Sequence, residues 1–176
     1  MEEHREIERK FLITGEQLAK FGFVDIQLTS NYLNIIQGYI LSAGGLWVRL
    51  RQALRCTPYM SVIGEEYTWT IKGPGGKDRT EYETAMQKQQ FDMMWPAFEN
   101  ITISKYRYEI PVLNAKIIHL DIYKDRHIGM FTAEVEFNDI KQCDEYKPEW
   151  WFGLEVTDDT EWSNYSMALN KANHIS

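Results

Sequence analysis

The sequence predicts an α+β domain that is mainly β, an eight-stranded antiparallel barrel or tunnel with a charged interior and helices packed outside. Three observations predict it. Charged and apolar residues alternate at period two along most strand-like segments, which gives each strand one charged and one apolar face. These segments follow one another through short, turn-rich connections, the pattern of antiparallel neighbours. Aromatic residues make up 14% of the 176-residue chain and concentrate in the same segments, which favours strand. With 44% hydrophobic residues, the chain suffices for a single domain over 1–176 with a real core.

The first strand covers about 5–13, with Glu6, Glu8 and Lys10 on one face and Ile7, Phe11 and Ile13 on the other. Thr14-Gly15 opens a short helix through Leu18, Ala19 and Phe21, which Gly22 closes. A second strand spans about 32–41, Ser42 to Gly45 turn the chain, and a third runs over about 46–55 with Trp47, Arg49 and Arg51 on one face. Residues 56–65 read as a loop. A fourth strand, about 66–72, sets Thr68, Thr70 and Lys72 opposite Tyr67, Trp69 and Ile71. After the turn at Gly73-Pro74-Gly75-Gly76, the fifth strand alternates Arg79, Glu81 and Glu83 with Thr80, Tyr82 and Thr84.

Residues 87–98 read as a helix whose Met, Phe and Trp stripe belongs to the core. The sixth strand carries Lys105, Arg107 and Glu109; the seventh, His119, Asp121 and Tyr123; the eighth, after a turn over 124–129, Thr132, Glu134 and Glu136. Polar linkers, a short helix near 148–152 and a last helix from an Asp158 or Asp159 N-cap to about Ala172 complete the chain.

Composition narrows the function. With 19 Lys and Arg against 26 Asp and Glu, the net charge is −7, unsuited to broad nucleic-acid binding, although a local basic pocket stays possible. The absence of an apolar leader or an 18-residue apolar run speaks against secretion and membrane spanning. Cys56 and Cys143 lack metal-type spacing, so a reduced, cytoplasmic setting is expected. Gly73-Pro74-Gly75-Gly76-Lys77 lacks the context of a phosphate loop and reads as a hairpin turn.

One parity of the strands collects the cations Lys10, Arg49, Arg51, Lys72, Arg79, Lys105 and Arg107. It also collects the acids Glu6, Glu8, Glu81, Glu83, Asp121, Glu134 and Glu136. The other parity is almost wholly apolar. In a closed barrel with helices on its apolar outside, the charged face lines a hydrated interior. Arg forks and Lys point charges suit a phosphate-rich anion, and paired carboxylates suit a hard divalent cation such as Mg²⁺ or Mn²⁺. Together they describe a metal–polyphosphate site.

In this order the motifs resemble the CYTH family, the triphosphate tunnel metalloenzymes. The resemblance runs through Glu-x-Glu-x-Lys at Glu6, Glu8 and Lys10, Arg-x-Arg at Arg49 and Arg51, and Thr-x-Lys at Thr70 and Lys72. It continues through Arg-x-Glu-x-Glu from Arg79, Lys-x-Arg at Lys105 and Arg107, Asp121, and Glu-x-Glu at Glu134 and Glu136. Glu155 to Asp158 and Ser163 to Tyr165 are similar to the family's C-terminal segment.

The resemblance implies metal-dependent hydrolysis of triphosphates by in-line attack of water. Glu6, Glu8, Glu134 and Glu136 would hold metal, with Asp121 contributing indirectly; Lys10, Arg49, Arg51, Lys72, Lys105 and Arg107 would hold phosphates. Arg79, Glu81 and Glu83 would be either ligands or salt-linked wall, and Glu6, Glu8, Lys10 and Lys72 form the expected catalytic set.

The opening Glu-Ile-Glu-Arg-Lys-Phe-Leu-Ile resembles short bacterial members linked to inorganic tripolyphosphate. The alternatives are a class IV-type adenylyl cyclase, a thiamine triphosphatase and a polyphosphate-binding module without turnover. A homodimer is left open.

Overall fold

In the computed structural model, residues 2–41, 46–73, 77–112 and 117–169 are described. The strands are β1 (Glu2–Ile13), β2 (Tyr32–Leu41), β3 (Trp47–Cys56), β4 (Val62–Lys72), β5 (Asp78–Ala85), β6 (Thr102–Pro111), β7 (Ile117–Tyr123) and β8 (Phe131–Glu136). They close into an antiparallel barrel in the order β1-β5-β4-β3-β2-β6-β7-β8, as expected from the alternation. Closure depends on β1, whose first half pairs with β5 and whose second half pairs with β8. That split sets Glu6 opposite Arg79, Glu8 opposite Glu136 and Lys10 opposite Glu134.

The apolar parity faces outward under the helices. α1 (Gly15–Phe21) begins at a Thr14–Gln17 capping box and ends at Gly22, whose φ of 81° is the left-handed conformation that glycine adopts without cost. α2 (Phe23–Thr29) follows at once; the sequence reading missed it, because no side chain caps its start at Gly22 and two of its apolar residues, Val24 and Leu28, stay exposed. Leu18, Phe23, Cys143 of α4 (Ile140–Glu145), Trp151 and Phe152 join Ile7, Phe11, Ile118, Leu120 and Val135 in the main core. Trp151 stacks on Phe21 at 4.2 Å between centroids, whereas Trp150 is exposed. Burial of each large apolar side chain contributes ~1.5–3 kcal/mol. α3 (Lys88–Met94) lays Phe91 on Leu50 and Tyr67.

Several expectations are corrected. Half of the predicted loop over 56–65 is strand: β3 runs to Cys56 and β4 starts at Val62, which leaves 57–61 as the connection, with a register shift at Arg55 and Cys56. Hairpin pairing overrode the weak alternation there. No helix forms at 148–152; the helix of that region is α4, capped by the Asp139 side chain. The helix over 87–98 tightens to a 3₁₀ turn at Trp95–Ala97, where Pro96 supplies no backbone donor. The last helix is split into a 3₁₀ turn, Thr160–Trp162, and α5 (Asn164–Leu169); its expected extension to Ala172 lies outside the described residues, as do the turns at 42–45 and 74–76.

α5 has a special place. Its Met167 and Ala168 pack on Tyr39, Ile103 and Tyr123, which share the inward parity of β2, β6 and β7. α5 therefore covers one end of the barrel.

Candidate active site: a charged tunnel

Each cation and carboxylate of the charged parity points into the barrel, and they meet as a network. Lys72 donates to Glu6 at 2.8 and 2.9 Å and lies 2.7 Å from Glu81. Arg79 bridges Glu6 at 2.6 Å and Glu8 at 2.9 Å. Arg49 donates to Glu83 at 2.9 Å and to the Thr70 hydroxyl at 3.0 Å. Arg79, Glu81 and Glu83 are thus each in an ion pair, with Glu6 and Glu8, with Lys72, and with Arg49 respectively. Asp121, fully buried, accepts from Lys105 at 2.5 Å and takes both prongs of Arg107 at 2.7 Å. Arg107 also reaches Glu134, which lies 3.1 Å from Lys10.

One cation stands apart. Arg51 makes no hydrogen bond or ion pair among the described residues, and its buried Nε has no partner. Burial, then repulsion from Arg49 and Arg107, brings its pKa down to about 10. The Nε of Arg49 is likewise buried without a partner. Burial and Arg107 bring Lys105 down to about 8 despite Asp121 beside it. Arg49, Arg51, Lys105 and Arg107 surround one side of a cavity of about 240 Å³, so this side is short of negative charge. A second cavity of about 100 Å³ lies toward α5, lined by Lys10, Tyr39, Trp47 and the 156–166 segment.

On the opposite side one carboxyl, Glu8, is short of positive charge. Burial, then Glu6 and Glu134, push the Glu8 carboxyl up to about 7. Burial works the same way on Glu6 and Glu134, but Lys72 and Arg79 hold the first below its usual range, and Lys10, Lys105 and Arg107 hold the second. Glu136 is more exposed and lies 3.5 Å from His119, at the tunnel wall. Among the described residues no three His, Cys, Asp or Glu groups already converge on a metal position, since the carboxylates are turned to Lys and Arg. The donor set still fits a hard divalent cation: all-oxygen ligands, Glu8 opposite Glu136 and beside Glu134, and a carboxyl that lacks enough positive charge.

Some lining residues escaped the sequence reading. On β2 both parities are largely apolar, so alternation could not show which side chains turn inward. Register shows it: Gln37 faces Arg51, and Tyr39 faces Arg49. Asn164, which accepts a hydrogen bond from the Tyr123 hydroxyl at 2.9 Å, lines both cavities and comes from α5, distant in sequence.

Comparison with known proteins agrees with this geometry. The model of the CYTH domain matches residues 4–152. An inorganic triphosphatase of Nitrosomonas europaea is 34% identical over 166 residues, 94% of this chain and 97% of the relative. A solved structure of an inorganic triphosphatase superposes with a TM-score of 0.58 at 29% identity, covering 94% of this chain and 95% of that one. A solved structure of a putative adenylate cyclase from Bacillus halodurans shares the fold at 18% identity, TM-score 0.55, with coverage of 82% and 86%. On its sequence match and its eight-stranded tunnel, the chain belongs to the CYTH domain family.

Proposed function

We propose that this chain hydrolyses inorganic tripolyphosphate to pyrophosphate and phosphate, with Mg²⁺ or Mn²⁺ as cofactor. The observation that carries the reading is Arg51, a half-buried side chain whose Nε is buried without a partner and which pairs with no carboxylate among the described residues, beside Arg49, Lys105 and Arg107. A site that holds an unpaired cation in a low-dielectric wall is built for an anion that arrives from outside. At about 240 Å³ the cavity is smaller than the ~300–1,000 Å³ that drug-sized ligands fill, which suits a compact polyanion.

Arg49, Arg51 and Lys105 hold the phosphate chain; Asp121 fixes Lys105, and Arg107, whose donors are taken by Asp121 and Glu134, adds positive potential to that wall. Lys10 and Lys72 lie toward the carboxylates, where they offset charge that shifts onto the leaving pyrophosphate oxygen. Glu6, Glu8, Glu134 and Glu136 would hold the metal, and Glu6 and Glu8 orient the attacking water. When bound, a divalent cation supplies Lewis-acid neutralisation of phosphoryl charge. Arg79, between Glu6 and Glu8, keeps those carboxylates apart and aimed inward.

The test follows phosphate and pyrophosphate release from tripolyphosphate, ATP and thiamine triphosphate with Mg²⁺, Mn²⁺ or EDTA. Metal-dependent turnover of tripolyphosphate, abolished by EDTA, is expected. Cyclic AMP from ATP, or binding of tripolyphosphate without turnover, overturns the reading.

A further inference from the structure

The tunnel lining has one apolar stretch that the chemistry above does not use. On β2, Leu33 and Ile35 share the inward parity of Gln37 and Tyr39, and with Ala53 of β3 they form a separate apolar cluster. All three are buried, at 5%, 1% and 2% exposure, although they stand among the phosphate-site cations. Ile35 lies directly between Ala53 and Lys105, and Leu33 directly between Arg55 and Arg107. Ile35 also lines the large cavity beside Arg51.

Beyond Ile35, toward the start of β2, no free positive charge remains among the described residues. Arg55 is tied to Glu109 at 3.2 Å, and Arg107 is saturated by Asp121 and Glu134. A phosphate pushed past Ile35 would displace close-packed apolar groups. It would also give up hydration with no cation in exchange, which is costly for a charged group.

We infer that Leu33, Ile35 and Ala53 form a stop that ends the anion site and limits the length of the phosphate chain. The inference rests on the polyphosphate reading of the site and deepens it. The phosphate beside Arg51 and Lys105 is the last of the chain, and it carries no substituent. A chain one phosphate longer than tripolyphosphate does not fit without leaving part of itself unpaired.

Isothermal titration in EDTA with tripolyphosphate and tetrapolyphosphate tests this without turnover. The wild-type protein is expected to prefer tripolyphosphate. In the double variant Leu33→Ala, Ile35→Ala the preference should fall by about tenfold, the scale on which missing methylenes change discrimination. Ala53→Leu works in the opposite sense: it should lose tripolyphosphate while retaining pyrophosphate, and it serves if the double variant does not fold. Equal wild-type affinity for both chain lengths, or a preference untouched by the folded variants, overturns the stop. Selective binding without hydrolysis would sink the proposed activity and leave the stop standing; binding of neither anion sinks both.

Discussion

A guanidinium partly withdrawn from water without a carboxylate keeps part of its desolvation cost in the free protein, and Arg51, with its Nε buried and unpartnered, is held in that position. Arg51→Gln is therefore expected to act in two directions. Tripolyphosphate affinity by titration calorimetry should fall about 10–100-fold, the worth of a hydrogen bond to a charged group. Thermal stability without ligand should rise by about 1–3 kcal/mol, because the unpaired charge is gone. Glu8 is the mirror case. Its folded pKa of about 7 lies above the ordinary carboxylate value of 4.5, so burial of the ionised form costs stability above pH 7. That cost shrinks as the pH falls from 7 toward 4.5 and is gone below 4.5, where the group is protonated in both states. Glu8→Gln in EDTA should be more stable than wild type at pH 8, by about 1–3 kcal/mol, with the gap closing toward pH 4.5. Denaturant melts at the two pH values read this directly, and the same variant should lose metal-dependent turnover.

At the level of elements, positions that look alike in the sequence differ in what they must tolerate. Gly38 sits in β2 where the end of the α3 segment crosses it: a Cβ there would meet the Phe98 carbonyl oxygen at 2.7 Å and its Cβ at 2.8 Å. Gly38→Ala should cost about 1–3 kcal/mol, which for a chain of this size lowers Tm by roughly 2–12 °C in a thermal melt. No turn or helix cap marks that glycine, so its role could not be read from neighbours in the chain. Strands with strict alternation, such as β1 with Glu6-Ile7-Glu8 and β8 with Glu134-Val135-Glu136, were legible down to the inward residue. β2 was not, because Leu33, Ile35 and Ile36 give the same apolar signal on both faces. The short helices were the weakest reading: α2 and α4 have 7 and 6 residues, and packing rather than propensity holds elements so short.

For the whole molecule, the network makes ligand binding and folding one equilibrium. An anion that binds only the closed barrel should stabilise it by about 2.7 kcal/mol at one hundred times its dissociation constant, or roughly 5–10 °C in Tm. That shift should shrink as pH rises through about 8, where Lys105 loses its charge, and again near 10, where Arg51 does. Thermal melts with and without tripolyphosphate between pH 7 and 10.5 check the sign; a shift that grows with pH would contradict it. What the sequence determined by itself was the parity of charge. Period two in a strand is a local property of the backbone, and it assigned Lys10, Arg49, Lys72, Lys105, Asp121 and Glu134 to one face without any partner strand. What only the tertiary structure decided was who neutralises whom. The divided pairing of β1 gave Glu6 to Arg79 and Lys72, the pairing of β6, β7 and β8 gave Asp121 and Glu134 to Arg107, and Arg51 was left without an ion pair among the described residues. Pairing energies depend on distances of a few ångströms across strands far apart in sequence, and those distances exist only once the barrel is closed.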